Sequence, residues 1–385
     1  MADRQISQVS DIVNRDFLKE LGVRRVINGA GVYTMLCGSL MLPEVVQAIH
    51  AMSRVYVRLD ELHDAVGARI ASLLNCEAAL VTSGAFGGLM LGTAACLTRD
   101  NAEFIARLPD TTGMKSEVIV QKAHRFPYDH AVRNCGVRLI EVETRAELEA
   151  AISTRTAMLL FLNKAEHRGQ IKAAEFAQIA RIHGVPTLND AAADVPPVDT
   201  LFRLTKMGFD LVALSGGKGL HGPQSAGLLL GRKDLIHAAR LNTAPHSDTF
   251  GRGLKVSKEE IVAMMVAVER YLDRDHEADW REWEARVGTI RETLRSVPGV
   301  TTEQFVPSIA NEVPHVRIRW DRKVLPIDAA DVVHQLREGE PSIELVPVPY
   351  EKDSLEVASW TLQSGEAAIL AQRIRETLGG SRSPR

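Results

Sequence analysis

The sequence predicts an α/β fold with a mainly parallel seven-stranded sheet, helices on both of its faces, and a smaller α+β C-terminal domain. Between about residues 26 and 250, short apolar segments bounded by turn residues alternate with helical patterns. Such segments are typical of strands buried on both faces. Strand–helix alternation at this spacing implies parallel strands whose connecting helices cover the sheet on both sides. After Val256 the alternation stops and a long amphipathic pattern begins, which marks the second domain.

Seven segments have the composition of buried strands. In chain order they are Ala78–Thr82, Val118–Gln121, Arg138–Glu143, Ala157–Leu162, Val185–Asn189, Leu211–Ser215 and Gly227–Gly231. Helical patterns are found at Leu62–Leu74, Phe86–Leu97, Pro127–Cys135, Arg145–Ile152 and Ala173–His183.

The C-terminal third is predicted to begin with two helices. Ser257 is the expected N-cap of the first, because Glu259 and Glu260 follow it in the first turn, and this helix reaches about Asp273. The second covers Glu277–Leu294. Further strands are predicted at Val316–Trp320, Ile343–Pro347 and Leu355–Ala358, and a last helix at Gly365–Leu378. We therefore expect an N-terminal helical segment (1–25), a large domain (26–256), a small domain (257–378) and a disordered tail (379–385).

Composition and charge exclude several classes of protein. The 46 basic and 49 acidic residues give a net charge of −3, which argues against binding to a nucleic-acid backbone. The polar N-terminus does not match a secretory signal, and no apolar run approaches the ~20 residues of a membrane helix. A cytoplasmic protein is expected. The four cysteines are scattered and no HExxH motif occurs, so neither disulfides nor a metal site is expected.

The most informative segment surrounds Lys218. A predicted strand ends at Ser215, and a turn containing Gly216, Gly217 and Gly219 presents the lysine. These glycines are expected to leave room beside it for a bulky planar group. The sequence does not fit a nucleotide phosphate loop, which needs Ser or Thr after the lysine. The alternative is a solvated lysine on a glycine turn.

Two other strand ends strengthen the functional interpretation. Asp190 ends a buried strand, at the edge where α/β sheets bind ligands. A carboxylate there can keep a pyridine nitrogen protonated. Thr82, Ser83, Gly84 and Ala85 join a strand to a helix, where free N–H groups and the helix dipole favour an anion, and Ser215 can add a hydroxyl. Taken one by one, each aspartate (Asp190 or Asp194) could simply cap a turn. Together the three strand ends predict a pyridoxal phosphate site.

The order and the residue sequences of these motifs resemble those of fold-type-I pyridoxal-phosphate enzymes of the aspartate-aminotransferase type. Within them the chain resembles the branch of L-seryl-tRNA selenium transferase (selenocysteine synthase) and D-glucosaminate-6-phosphate ammonia-lyase. The resemblance covers roughly Ile27 to Leu272 and is strongest at LSGGKGLHGPQSAGLLLGRKDLI. It implies that Lys218 carries the cofactor as a Schiff base and that Asp190 meets the pyridine nitrogen. It also implies that Arg252 and Lys255 bind an anionic group of the substrate or the phosphate of a neighbouring subunit.

Two departures from the family pattern argue against selenium transfer. The region before Ile27 is expected to be too short for a tRNA-binding domain, and Thr82-Ser83-Gly84 replaces an asparagine-rich turn.

Other candidates are less specific. His124 follows a strand where this superfamily often stacks a residue on the cofactor ring, and it could relay protons, although a polar loop histidine is the alternative. Lys122 is a candidate substrate contact. Arg317 and Arg319 could bind an α-carboxylate, with a solvent-facing strand edge as the preferred alternative.

The expected function is a lyase that performs α,β-elimination on a β-substituted or hydroxylated amino acid, with sugar-derived and anionic ones as candidates. Racemase, aldolase and aminotransferase are alternatives among enzymes, because the fold does not choose the reaction. A cofactor-free protein that binds a phosphorylated ligand is the alternative from another class. A homodimer or an assembly of dimers is expected, because relatives build their sites at a subunit interface.

Overall fold

A computed structural model describes residues 15–380. Over these residues the chain folds into two compact units. The large unit contains residues 32–276 and 307–313, and the small unit contains residues 15–31, 277–306 and 314–380.

Within residues 15–380 the strands are β1 Val26–Asn28, β2 Ala78–Thr82, β3 Glu117–Gln121, β4 Arg138–Val142, β5 Thr156–Leu162, β6 Thr187–Asp190, β7 Leu211–Ser215, β8 Gly227–Gly231, β9 Val300–Phe305, β10 His315–Trp320, β11 Ser342–Glu344, β12 Val346–Pro347 and β13 Ser354–Ala358. The α-helices are α1 Phe17–Leu21, α2 Pro43–Met52, α3 Leu59–Leu74, α4 Gly84–Thr98, α5 Ala102–Arg107, α6 His130–Arg133, α7 Arg145–Ala151, α8 Ala173–Ile182, α9 Thr200–Met207, α10 Lys233–Leu241, α11 Lys258–Asp273, α12 His276–Leu294, α13 Ala329–Glu338 and α14 Glu366–Gly380.

The large unit is built on a seven-stranded sheet with the order β2-β8-β7-β6-β5-β3-β4. Neighbours from β7 to β4 are parallel, whereas β8 is antiparallel to both β2 and β7. Strand β2 therefore runs in the same direction as β7. The carboxyl ends of β2, β3, β5, β6 and β7 all lie on one edge of the sheet, and this edge carries the site.

Alternate residues of each strand enter different cores. In β5, Leu159 and Phe161 pack in a core that includes Phe176 of α8. Met158 and Leu160 pack in a second core that includes Leu89 of α4. All four strand residues are fully buried. The strands are apolar on both faces because helices cover both faces, and the predicted fold class is confirmed.

The small unit has its own sheets and core. Strands β12-β13-β10-β9 form an antiparallel sheet, and β1 pairs in parallel with β11. Its core joins residues of α12, α13 and α14 to inward residues of β10 such as Val316 and Ile318. Arg317 and Arg319, which alternate with them, form cross-strand ion pairs with glutamates of β9, β13 and the loop before β13. The guanidinium groups are therefore engaged on the strand surface.

The observed units differ from the predicted domains in two places. Helix α11 was assigned to the small domain, but Ile261, Met264 and Val268 are buried in a core of the large sheet. Its Ser257 N-cap is correct and forms a capping box with Glu260. Residues 26–31 belong to the small unit, because β1 pairs with β11.

Smaller differences concern the chain ends and one helix. Predicted helix Pro127–Cys135 is a 3-10 turn (Pro127–Asp129) followed by the short α6. Gly379 and Gly380 end α14. Residues 1–14 and 381–385 of the predicted terminal segments lie outside the described residues. No helix between residues 15 and 380 is long and apolar enough to cross a membrane.

Candidate active site

The carboxyl ends of three neighbouring parallel strands bring together the central polar groups. Lys218 follows β7, Asp190 ends β6, and Asn163 and Lys164 follow β5. The charge of Lys218 interacts with Asp190, Asp194 and Lys164. The strand order thus assembles residues that lie up to 55 positions apart in the sequence.

The lysine turn is held by close backbone packing. A Cβ at Gly217 would lie 2.4 Å from Cα of Gln224, and one at Gly219 would lie 2.2 Å from the carbonyl oxygen of Val195. The space beside these glycines is therefore filled by protein, so the expectation that they leave room for a ligand is corrected. They let two loops pack closely enough to enclose Lys218, and burial lowers the pKa of its ammonium group, against the opposing effect of Asp190.

Asp190 is a buried carboxyl group with few protein partners. Its side chain is 5% exposed, and Oδ1 accepts a hydrogen bond from the Ala192 N–H at 3.0 Å. It therefore does stabilise the following turn, as the simpler interpretation of the sequence holds. Burial raises its pKa, whereas the Ala192 N–H, Lys218 and Lys164 act in the opposite direction. A buried carboxyl group beside the lysine turn fits a role as partner of a protonated pyridine nitrogen.

The turn after β2 has the backbone of an anion site. Thr82 is fully buried and its Oγ1 donates to the Gly84 carbonyl oxygen at 2.8 Å. Ser83 precedes α4 and makes no capping hydrogen bond with its side chain, so first-turn N–H groups stay available. Gly227 of β8 packs directly against this turn. A Cβ at Gly227 would lie 2.5 Å from the carbonyl carbon of Gly84 and 2.8 Å from the Ala85 nitrogen. The half-buried Ser215, paired with Gly227, ends the adjacent β7.

His124 has surroundings that differ from the expected ones. The residue has no exposed surface, and its ring meets Phe161 edge-on with centroids 4.5 Å apart. The Leu162 N–H donates to Nδ1 at 3.3 Å. Burial lowers the pKa of the imidazole to about 4, so the ring is neutral at pH 7. Stacking on a cofactor and proton relay remain predictions, and both would require the ring to become accessible.

The three predicted substrate contacts lie at the surface. The ammonium group of Lys122 pairs with Glu143 at 3.1 Å, and this hydrogen bond raises its pKa. Both residues line a cavity of about 350 Å³ whose lining includes neither Lys218 nor Asp190. Arg252 begins a 3-10 turn that Lys255 follows directly, and both residues are exposed. Their roles as substrate contacts remain predictions.

Sequence reasoning missed several residues of the site. Asn163 and Lys164 follow β5 without any motif, and only the strand order shows that they neighbour Asp190. Asp194 was considered only as a cap, yet it is 4% exposed and its charge interacts with Lys218 and Asp190. The segment before α2 was also missed: the Ser39 N–H donates to the Gly217 carbonyl oxygen at 3.0 Å. Polar residues directly after a buried strand were the available signal.

Comparison with known proteins identifies the relatives of this chain. The family model described as L-seryl-tRNA selenium transferase matches residues 26–282. D-glucosaminate-6-phosphate ammonia lyase of Salmonella typhimurium (strain 14028s / SGSC 2262) is 30% identical over 370 residues, which cover 93% of this chain and 96% of the relative. 5'-C-glycyluridine monooxygenase-decarboxylase of a Streptomyces species is 30% identical over 373 residues, which cover 94% and 91%. A solved structure of D-glucosaminate-6-phosphate ammonia-lyase has a TM-score of 0.84 at 28% identity and covers 96% of this chain and 100% of its own.

The relatives confirm the general predictions made from the sequence. They are enzymes of the pyridoxal-phosphate type, which confirms the cofactor, the fold class and the expectation of an enzyme. The family match spans about two thirds of the chain, and the Salmonella relative is matched over nearly its whole length. The chain therefore belongs to the L-seryl-tRNA selenium transferase family of fold-type-I pyridoxal-phosphate enzymes.

Proposed function

We propose that this chain is an ammonia-lyase that performs α,β-elimination on an anionic, sugar-derived amino acid with a β-hydroxyl group. The observation that carries the proposal is the buried group of Lys218, Asp190 and Asp194 at one sheet edge. The fold alone does not choose a reaction. The choice of elimination is supported by the 30% identity to an ammonia lyase whose substrate is a phosphorylated sugar amino acid.

The residues at this sheet edge would have different roles in the reaction. Pyridoxal phosphate, when bound, withdraws electrons from the α-carbon of the substrate. Lys218 would hold the cofactor covalently and afterwards take the α-proton on Nζ, which the lowered pKa of its amino group favours. Asp190 would hold a proton on the pyridine nitrogen. The N–H groups of Ser83, Gly84 and Ala85 would bind the cofactor phosphate, together with the Ser215 hydroxyl group, and the Thr82 hydroxyl would hold the turn through the Gly84 carbonyl oxygen.

The exposed cations would select the charge of the substrate. Arg252 and Lys255 have no side-chain hydrogen bond or ion pair to another residue in 15–380, so they are free to bind a phosphate or carboxylate. Lys122 is a weaker candidate because Glu143 already neutralises it.

The proposal is tested with D-glucosaminate 6-phosphate as the probe. The yellow, cofactor-loaded protein should release ammonia and a keto acid in equal amounts from this compound. Lys218→Ala is the control and should release neither. A panel of D- and L-amino acids, with and without a β-hydroxyl group, then defines the substrate class. Racemisation or keto-acid formation without ammonia release would contradict elimination.

A second candidate function is oxidative decarboxylation. It is supported by the Streptomyces monooxygenase-decarboxylase, which is as similar in identity and coverage as the lyase. The reaction would consume oxygen and release carbon dioxide. Incubation with 5'-C-glycyluridine under an oxygen electrode distinguishes the two: oxygen uptake with this compound, and no ammonia from the sugar acid, would favour decarboxylation.

We further propose a cytoplasmic homodimer or an assembly of dimers. Between residues 33 and 57 the surface exposes large apolar side chains, namely Tyr33, Met35, Leu40, Met41, Val46, Val55, Tyr56 and Val57. A concentration of exposed apolar groups supports a subunit interface. Hydrogen bonds from Ser39 and Leu42 to the Gly217–His221 turn connect this segment to the site. Sedimentation at assay concentration should show a dimer, and an active monomer would contradict the proposal.

A further inference from the structure

Asp194 is a buried carboxyl group at the same sheet edge that the proposed roles leave unused. Its residue is 4% exposed, and Oδ1 has no hydrogen-bond partner among residues 15–380. The side-chain amide of Asn163, which is itself 3% exposed, interacts with the carboxyl group of Asp194. A buried acceptor without a partner is costly to a fold. Asp194 therefore carries hydrogen-bonding capacity that the protein alone does not fill.

Backbone packing fixes Asp194 next to the lysine turn. The residue after it, Val195, has its carbonyl oxygen against Gly219, so the two loops touch beside Lys218. On the other side, the Asn311 N–H donates to the carbonyl oxygen of Ala193 at 3.0 Å. At the start of the segment, the Ala191 N–H donates to the Ala213 carbonyl oxygen of β7 at 3.0 Å. Three contacts thus hold the short segment that leads from Asp190 to Asp194.

The buried surroundings of Asp194 favour its protonated form. Burial raises its pKa to about 7, and the neighbouring Asp190 acts in the same direction. The Asn163 amide and the charges of Lys218 and Lys164 oppose this rise. Near neutral pH a large fraction of the carboxyl group therefore carries a proton that it can donate.

We propose that Asp194 is a catalytic acid that binds the β-hydroxyl group of the substrate and protonates it as it leaves. The inference rests on the proposed elimination. The α-carbon–hydrogen bond breaks and the proton moves to Nζ of Lys218. The bond between the β-carbon and oxygen then breaks, its electron pair goes to the oxygen, and the oxygen takes the proton of Asp194. Water leaves, a carbon–carbon double bond forms, and Asp194 remains as a carboxylate until it is reprotonated from solvent.

Elimination requires two proton transfers, one from the α-carbon and one to the leaving oxygen, so an acid other than Lys218 is useful. Lys218 takes the α-proton on the amino group that it uses as a base, whereas hydroxide is a poor leaving group and needs a proton when the bond breaks. A separate donor allows both transfers in one turnover without moving the lysine. The competing view is that Lys218 passes its own proton on and that Asp194 only supports the loop. The two views predict different behaviour of the α-proton.

The experiment uses holoenzyme with D-glucosaminate 6-phosphate in deuterium oxide. Asp194→Asn keeps the shape of the side chain and removes its proton, and Asp194→Ala is the second variant. Whichever retains the visible absorbance of the cofactor and the thermal stability of the wild type carries the test. Asp199→Asn removes an exposed carboxyl group of the same loop and serves as the control.

The expected result is a separation of two rates. Ammonia release by the Asp194 variant should fall ~100-fold or more, the usual effect of removing an acid catalyst. Deuterium incorporation at the α-carbon of recovered substrate should stay within about threefold of the wild type, because Lys218 is intact. Equal loss of both rates would overturn the inference, since Asp194 would then support binding or the lysine. Near-normal ammonia release would overturn it as well.

The proposed function can fail separately. If the wild type releases no ammonia from the sugar acid, elimination is wrong, and the role of Asp194 falls with it. If the wild type releases ammonia and the variants do not separate the two rates, only the role of Asp194 is wrong.

Discussion

The two basic regions that the sequence assigns to the site have opposite surroundings. Lys218 is half-buried, and its charge interacts with Asp190, Asp194 and Lys164. Arg252 and Lys255, about 35 residues later, are exposed and bind no other side chain within residues 15–380. Charges interact strongly in a buried environment, whereas exposed charges are screened by salt and water. The comparison therefore predicts that chemistry depends on the buried group and that the exposed pair only adjusts affinity.

The largest effect is expected from Lys218→Ala. Because this lysine holds the cofactor and moves the α-proton, turnover should fall ~10³-fold or more. In the wild type, borohydride reduction and peptide mapping should find the pyridoxyl group on the Lys218 peptide. Lys164 is the relevant control, because its charge acts on the same carboxylates. An adduct on Lys164, or none in reconstituted protein, would reject the assignment.

Asp190→Asn is expected to have the next largest effect. The amide keeps the shape and can still accept from the Ala192 N–H, so the cofactor should bind. It no longer holds the pyridine proton by charge, and kcat should fall ~100-fold or more. Cofactor absorbance and steady-state kinetics measure the two properties separately. Near-normal kcat would remove Asp190 from this role.

A smaller effect is expected from Arg252→Ala, because its guanidinium group is exposed. An enclosed charge-assisted contact contributes ~2–3 kcal/mol, or roughly thirty- to hundredfold in affinity, and solvent screening reduces this. We expect KM for D-glucosaminate 6-phosphate to rise, with kcat and cofactor retained and with no change for D-glucosaminate. Arg181→Ala removes an exposed arginine of α8 and is the control. Loss of cofactor would instead assign Arg252 to the cofactor phosphate. Unchanged kinetics would show that Arg252 binds neither substrate nor cofactor.

The buried and exposed regions also differ in how much the sequence revealed. Six of the seven large-sheet strands are correct to within one residue at each end, because a strand buried on both faces is a continuous apolar run with polar ends. Lys218 and Asp190 could be found because each follows such a run directly. In contrast, β1 is three residues long and pairs with a strand more than 300 residues away, so no local pattern predicts it.

Two further features needed the folded chain. The sequence shows that α11 has an apolar face, but it does not show which core that face joins. The predicted domain boundary therefore differs from the observed one at this helix. Asn163 lies beside Asp190 only because β5 and β6 are neighbours in the sheet. The burial of His124 and of Asp194 likewise depends on elements that are distant in sequence. Spatial neighbours across a sheet are set by topology, which spacing along the chain does not report.

The last prediction concerns stability rather than turnover, and it tests one buried carboxyl group. The carboxyl group of Asp194 has a folded pKa of about 7, against ~3.9 in an unfolded chain. Between these values the folded protein binds more protons than the unfolded chain, so the contribution of Asp194 to stability is full below pH ~4 and declines until pH passes ~7. The asparagine variant has no such dependence.

In cofactor-free protein, the free energy of unfolding of Asp194→Asn relative to the wild type should therefore rise by about 2–4 kcal/mol between pH 4 and pH 8. Denaturant titrations across this range measure the difference, in which the titrations of groups that do not interact with Asp194 cancel. Asp199→Asn, which alters an exposed carboxyl group of the same loop, is the control variant. If the difference between Asp194→Asn and the wild type did not change with pH, the carboxyl group of Asp194 would be ionised and solvated in the folded protein. Asp194 would then behave like the exposed charges and not like a buried group.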